Sequence, residues 1–97
     1  MMRSLRQMGW QIRFESQAKK ELSALDNSVK IRILKYLKKL EGCDNPRALG
    51  KPLTENLSGY WRYRIGNYRI ISRIYDNELV ILLFVIRKRE VVYQIKL

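Results

Sequence analysis

Arginines alternate with aromatic and aliphatic residues on either side of a tight turn in the stretch Trp61-Arg62-Tyr63-Arg64-Ile65-Gly66-Asn67-Tyr68-Arg69-Ile70-Ile71-Ser72-Arg73. Gly66-Asn67 is a two-residue hairpin loop with glycine first, as a type II′ turn requires. A hairpin closed there sets Ile65 opposite Tyr68 and Arg64 opposite Arg69. Side chains alternate across a strand, so Arg62, Arg64, Arg69 and Arg73 share one face, and Trp61, Tyr63, Ile65, Tyr68, Ile70 and Ile74 share the other. The second set is the expected core. Directly opposed like charges destabilise a strand pair by about 0.2–1 kcal/mol, so stability alone does not select Arg64 against Arg69.

A basic face with aromatic neighbours suits a phosphodiester backbone and a stacked base. RNA carries its own nucleophile, the 2′-hydroxyl. Cleavage then needs alignment, neutralisation of charge on the phosphorane and protonation of the departing 5′-oxygen. Guanidinium groups contact phosphate oxygens bidentately and stay protonated, which makes them transition-state clamps and poor bases. The candidates for proton handling are Tyr93, Tyr75 and Glu90. The plain alternative is a solvated charge cluster; the opposed pair and an apolar floor of Val80, Leu82 and Phe84 behind the arginines weigh against it.

Composition narrows the chemistry further. The 97 residues hold 20 Lys+Arg against 9 Asp+Glu, a net charge of +11 that favours a polyanionic partner. With no histidine there is no imidazole base, no Ser-His-Asp triad and no His-based metal site. Cys43 is the only cysteine, which excludes an intrachain disulfide and a thiolate zinc cluster. No metal and no cofactor is expected. No segment reaches the roughly 18 apolar residues of a membrane span, so a cytoplasmic protein without membrane contact is expected.

The elements that position the arginines follow from periodicity. Trp10, Ile12 and Phe14 alternate with polar residues as in a half-buried strand. Ser16 can cap a helix whose Ala18, Leu22 and Leu25 lie on one side. A second helix carries Val29, Ile33, Tyr36, Leu37 and Leu40 as an apolar stripe, with Lys30, Arg32, Lys35, Lys38 and Lys39 around the remainder, and Gly42 stops it. Residues 42–59 are rich in breakers and read as a long loop bearing Arg47 and Lys51. Strands are expected over 60–65, 68–75 and 78–86, with a possible edge strand or tail over 91–97. Unbroken alternation in the strand over 78–86 places Lys88 on the arginine face and Arg87 and Arg89 on the other, unless a bulge after Ile86 reverses them. The class is α+β: an N-terminal strand and a helical hairpin packed on one face of a small antiparallel sheet, in the order β-α-α-β-β-β. Residues 1–9 are expected to be a flexible N-terminus, and 10–97 a single domain.

Four stretches carry a family resemblance: Gly50-Lys51-Pro52-Leu53, Leu57-Ser58-Gly59, the run from Trp61 to Ile71, and Lys88-Arg89-Glu90-Val91-Val92-Tyr93. Together they resemble the RelE branch of the RelE/ParE toxin superfamily, over nearly the whole chain from Trp10. The resemblance implies the toxin of a type II toxin–antitoxin pair, a ribosome-dependent endoribonuclease that cuts mRNA in the decoding A site. It implies an acidic, RelB-like antitoxin as partner, with ribosomal RNA and mRNA as the other contacts. By the same resemblance Arg62, Arg64, Arg69, Arg89 and Tyr93 are the catalytic residues, in phosphate clamping, transition-state stabilisation, acid assistance and base stacking. Lys51, Arg73 and Lys88 are expected to bind substrate. If Arg89 joins the site, the last strand must end or bulge before Lys88. Two other functions are kept: a ParE-like toxin that binds DNA gyrase without nuclease activity, and a basic RNA-binding module without toxicity.

Overall fold

Ile12 and Phe14 point inward from a short strand, β1 (Gln11–Phe14), in the computed structural model, which describes residues 9–92. Two helices follow, α1 (Ser16–Ser23) and α2 (Asn27–Glu41). Ser16 is not a cap: Glu15, extended at φ −70° and ψ 157°, occupies the N-cap position of α1 without a side-chain bond, and Ser16 is the first helical residue. Gly42 ends α2, as its position after the last stripe residue indicates. The chain then forms β2 (Lys51–Pro52), β3 (Trp61–Ile65), β4 (Tyr68–Tyr75) and β5 (Val80–Lys88).

The five strands make one sheet in the order β1-β5-β4-β3-β2. The sheet is mixed rather than antiparallel, because β1 pairs with β5 in parallel, Gln11 opposite Val80 through Phe14 opposite Leu83. Parallel pairing requires a long crossover, which the helical hairpin and the β2–β4 region supply. The helices cover one face. Ala18, Ile33, Leu37 and Leu40 pack on Tyr63, Ile70, Ile81, Leu83 and Ile86 to form the main core.

The breaker-rich segment 42–59 is not structureless. It holds two 3₁₀ turns, Pro46–Leu49 and Glu55–Leu57, on either side of β2. Aromatic side chains pin it from outside. The Tyr63 hydroxyl donates to the Pro46 carbonyl at 2.8 Å, the Tyr36 hydroxyl to Leu49 at 3.0 Å and Trp61 Nε1 to Arg47 at 3.2 Å. Burial pushes the Tyr63 hydroxyl well above the usual tyrosine range.

The β3–β4 register is the one the turn dictates, with Ile65 opposite Tyr68 and Arg64 opposite Arg69. Gly66 takes φ 57°, the positive angle required at the first position of a type II′ turn. The β4–β5 register is not continuous. Ile71 pairs with Val85 but Ser72 pairs with Leu83, leaving Phe84 as the extra residue of a bulge. The alternation of β5 therefore reverses at Phe84, earlier than the expected point after Ile86. Val85 and Arg87 come opposite Ile71 and Arg69, whereas Lys88 comes opposite Tyr68. Unbroken alternation, with Lys88 on the arginine face and Arg87 on the other, is thus overturned, and β5 bulges before Lys88, the alternative read from the family resemblance.

The apolar floor on this second face also differs in membership. Ile71, Val85 and Val92 form a small buried cluster, with Leu53 and Tyr60 packed against it. Phe84 joins through an edge-on contact with Tyr60, ring centroids 5.2 Å apart. After Lys88 the chain turns, and the amides of Val91 and Val92 both donate to the Lys88 carbonyl. Val91 and Val92 thus belong to a turn; the rest of the expected strand over 91–97, and residues 1–8 of the expected flexible terminus, lie outside the described residues.

Candidate functional site

Two rows of residues cross the second face of the sheet. The first runs Arg64, Arg69, Arg87 over β3, β4 and β5. The second runs Lys51, Arg62, Ile71, Val85 over β2 to β5. Adjacent strands lie about 4.8 Å apart and the two rows about 7 Å apart along the strands, so five cations share a patch the size of one dinucleotide.

Gly50 makes the second row possible. A Cβ there would lie 2.4 Å from the Arg62 carbonyl oxygen and 2.9 Å from the rings of Trp61 and Tyr63. Only glycine lets β2 approach β3 this closely, and this approach sets Lys51 beside Arg62. An open concavity of about 380 Å³ results, lined by Ala48, Leu49, Gly50, Lys51, Arg62 and Arg64.

The arginines of the first row differ in environment. Arg64 is exposed. Arg69 is buried, 6% exposed, and its Nη1 donates at 3.0 Å to the carbonyls of both Gly66 and Tyr68. It therefore braces the turn as well as charging the face. Arg87 is half-buried and its Nε donates to Glu21 at 2.6 Å. Arg89 is exposed in the turn after β5, where its backbone amide donates to the Asn67 carbonyl at 2.9 Å, so it stands beside the Gly66-Asn67 loop at the end of the first row.

The remaining candidates are dispersed. Lys88 is exposed at the end of β5. Arg73 lies four residues along β4 from Arg69, and its guanidinium covers the Tyr60 ring at 4.9 Å. Tyr75 sits at the far end of β4, about 20 Å from Arg69 by strand rise, and does not join the rows. Glu90 is exposed in the turn after β5. Tyr93 lies outside the described residues.

Sequence reasoning missed two arginines. Arg87 enters the first row because of the bulge, which no local pattern announces. Arg32, read as part of a solvated helix face, brings its guanidinium to the hairpin loop: a Cβ on Gly66 would lie 2.6 Å from Arg32 Nη2. Among the described residues no group of three or more Cys, Asp or Glu is arranged to hold a metal ion. Chemically, the arrangement can neutralise adjacent phosphates on one strand of nucleic acid, with apolar side chains behind them.

Residues 12–93 match the family of the ParE toxin of type II toxin–antitoxin systems. A protein of Escherichia coli described as RelE-like is 31% identical over 84 residues, which cover 86% of each chain. The crystal structure of a RelBE toxin–antitoxin complex from Mycobacterium tuberculosis contains a chain 26% identical, with a TM-score of 0.76 over 84% of this chain and 92% of that one. A RelE–RelB complex from Pyrococcus horikoshii gives 25% identity and a TM-score of 0.66, over 84% and 96% of the two chains. The isolated Escherichia coli RelE toxin, at 20% identity, shares the fold with a TM-score of 0.68 over 88% of this chain and 92% of that one. The chain belongs to the ParE toxin family of type II toxin–antitoxin systems, and the resemblance to RelE/ParE toxins read from its residues is borne out.

Proposed function

We propose that this toxin is a ribosome-dependent mRNA endonuclease that arrests translation. The observation that carries the reading is the row Arg64, Arg69, Arg87 beside Lys51 and Arg62. In the reaction the substrate 2′-oxygen attacks the adjacent phosphorus and the 5′-oxygen leaves, giving a 2′,3′-cyclic phosphate and a 5′-hydroxyl end. Arg64 and Arg87 clamp the non-bridging oxygens as charge develops on them. Buried Arg69 adds its field and keeps the turn rigid. Lys51 and Arg62 hold the neighbouring phosphate, while Arg89 and Tyr93 take the leaving-group and base-stacking roles that the family resemblance implies. Arg73 extends the positive field along the bound strand; Lys88, opposite Tyr68 on the other face of the sheet, is left out of the site.

A chain of 97 residues without histidine has little acid–base power. A ribosome that presents mRNA in the A site supplies the alignment instead. The exposed cations of α2, among them Lys35, Lys38 and Lys39, favour ribosomal RNA. The protein acts in the cytoplasm, and no helix among the described residues is long and apolar enough to cross a membrane. Its regulator is an acidic antitoxin, a partner supported by the RelB-bound solved relatives and by the +11 charge.

Induced expression followed by primer-extension mapping of mRNA tests the reading. Cuts phased to the reading frame are expected in the wild type and absent in Arg64→Ala. The match to the ParE family favours a second reading, a gyrase-binding toxin in which the arginines are bystanders. Growth arrest with an SOS response and intact mRNA would establish that reading and overturn the first.

A further inference from the structure

We propose that Glu21 is a positioning residue for Arg87, an assignment that rests on the nuclease reading above. β1 ends at Phe14 opposite Leu83, and the Glu15 amide takes the Leu83 carbonyl. From Phe84 onward that edge of β5 has no strand beside it among the described residues. The Glu21 side chain of α1 fills the gap. Its Oε1 accepts from the Ile86 amide at 2.8 Å, and its Oε2 accepts from Arg87 Nε at 2.6 Å and from Gln17 Nε2 at 3.0 Å.

Capping the exposed strand amide needs one acceptor. The second oxygen does something the strand does not require, which is to set the side-chain conformation of Arg87. Held through Nε, the guanidinium keeps both Nη groups unengaged among the described residues, as a two-pronged donor for a phosphate. The rotamer freedom that a long side chain loses on gripping substrate is thereby lost before substrate arrives. The carboxylate also offsets the repulsion among Arg64, Arg69 and Arg87, which share one row.

Glu21→Gln separates the two tasks. Glutamine has a single carbonyl oxygen, enough for the Ile86 amide, and its NH₂ group then faces Arg87 Nε donor to donor. Single-turnover cleavage of mRNA on programmed ribosomes, with thermal unfolding run in parallel, reads the result. The maximal rate is expected to fall about 10- to 100-fold while the half-saturating toxin concentration stays within about twofold. On an Arg87→Ala background Glu21→Gln is expected to add nothing. Arg87→Lys, which keeps a charge near Glu21 but has no paired Nη groups, is expected to lose as much rate as Arg87→Ala.

A Glu21→Gln protein with wild-type maximal rate, a further loss on the Arg87→Ala background, or full activity in Arg87→Lys would each overturn the assignment while leaving the nuclease reading intact. A wild type that leaves ribosome-bound mRNA uncut removes the nuclease reading, and the assignment with it.

Discussion

Arg64 and Arg69 stand directly opposite each other across β3 and β4, yet one guanidinium lies in water and the other is buried against the carbonyls of its own turn. Removing each should therefore have opposite effects on stability. Arg64→Ala relieves a like-charge pair and is expected to leave stability unchanged or raise it by about 0.2–1 kcal/mol. Arg69→Ala strips the Gly66 and Tyr68 carbonyls of a donor and is expected to cost about 1–3 kcal/mol. Urea denaturation of both proteins checks the ordering, and cleavage should be lost in both.

Gly50→Ala tests the close approach of β2 to β3. The backbone there, at φ −137°, is open to any residue, so the penalty is steric. An added methyl would meet the Arg62 carbonyl and two aromatic rings. Overpacking of this kind costs about 1–3 kcal/mol. It should also move Lys51 away from Arg62, so weaker RNA binding is expected beyond what the loss of stability explains. Thermal unfolding together with RNA binding at fixed salt separates the two effects.

Tyr63→Phe removes the donor to the Pro46 carbonyl while keeping the ring in the core. A loss of about 0.5–1.5 kcal/mol is expected, the ordinary net worth of one such hydrogen bond. In the wild type, burial keeps the Tyr63 hydroxyl protonated at pH values where ordinary tyrosines ionise. Alkaline spectrophotometric titration of wild type and Tyr63→Phe should thus coincide up to the pH at which the protein unfolds.

The Arg47–Asp76 pair supplies a pH dependence of known sign. Two hydrogen bonds from the Arg47 guanidinium, at 2.8 and 2.9 Å, hold the Asp76 carboxyl below its ordinary value. A carboxyl whose folded pKa is depressed contributes stability that is complete above the unfolded value and is lost as pH falls through the folded one. The pair is exposed, so the effect is small. The melting temperature of the wild type should exceed that of Asp76→Asn at neutral pH, and the two should converge below the ordinary carboxylate range. A gap that persists in acid would mean that Asp76 acts through something other than its charge.

Much of this molecule is legible in short stretches of sequence, and the reason is that the controlling interactions are local. Gly66-Asn67 specifies a turn, the turn specifies which residues face each other, and alternation then gathers Arg62, Arg64 and Arg69 on one face. The apolar stripe of α2 and its stop at Gly42 are likewise contained within a few helical turns.

The features that escaped are those decided by residues far apart in the chain. The bulge at Phe84 follows no period of β5; it brings Val85 to Ile71 and Val92, with Phe84 against Tyr60, and only that packing makes Arg87 rather than Lys88 the third member of the row. The segment 42–59 takes its shape from hydroxyls on Tyr36 and Tyr63, and β1 pairs in parallel with β5, from which two helices and three strands separate it in the chain. The sequence by itself determined the turn, the strands and helices flanking it, and a basic face suited to phosphate. The tertiary structure decided which arginines complete that face, because the Glu21 carboxylate and the β5 bulge bring together groups that chain neighbours cannot.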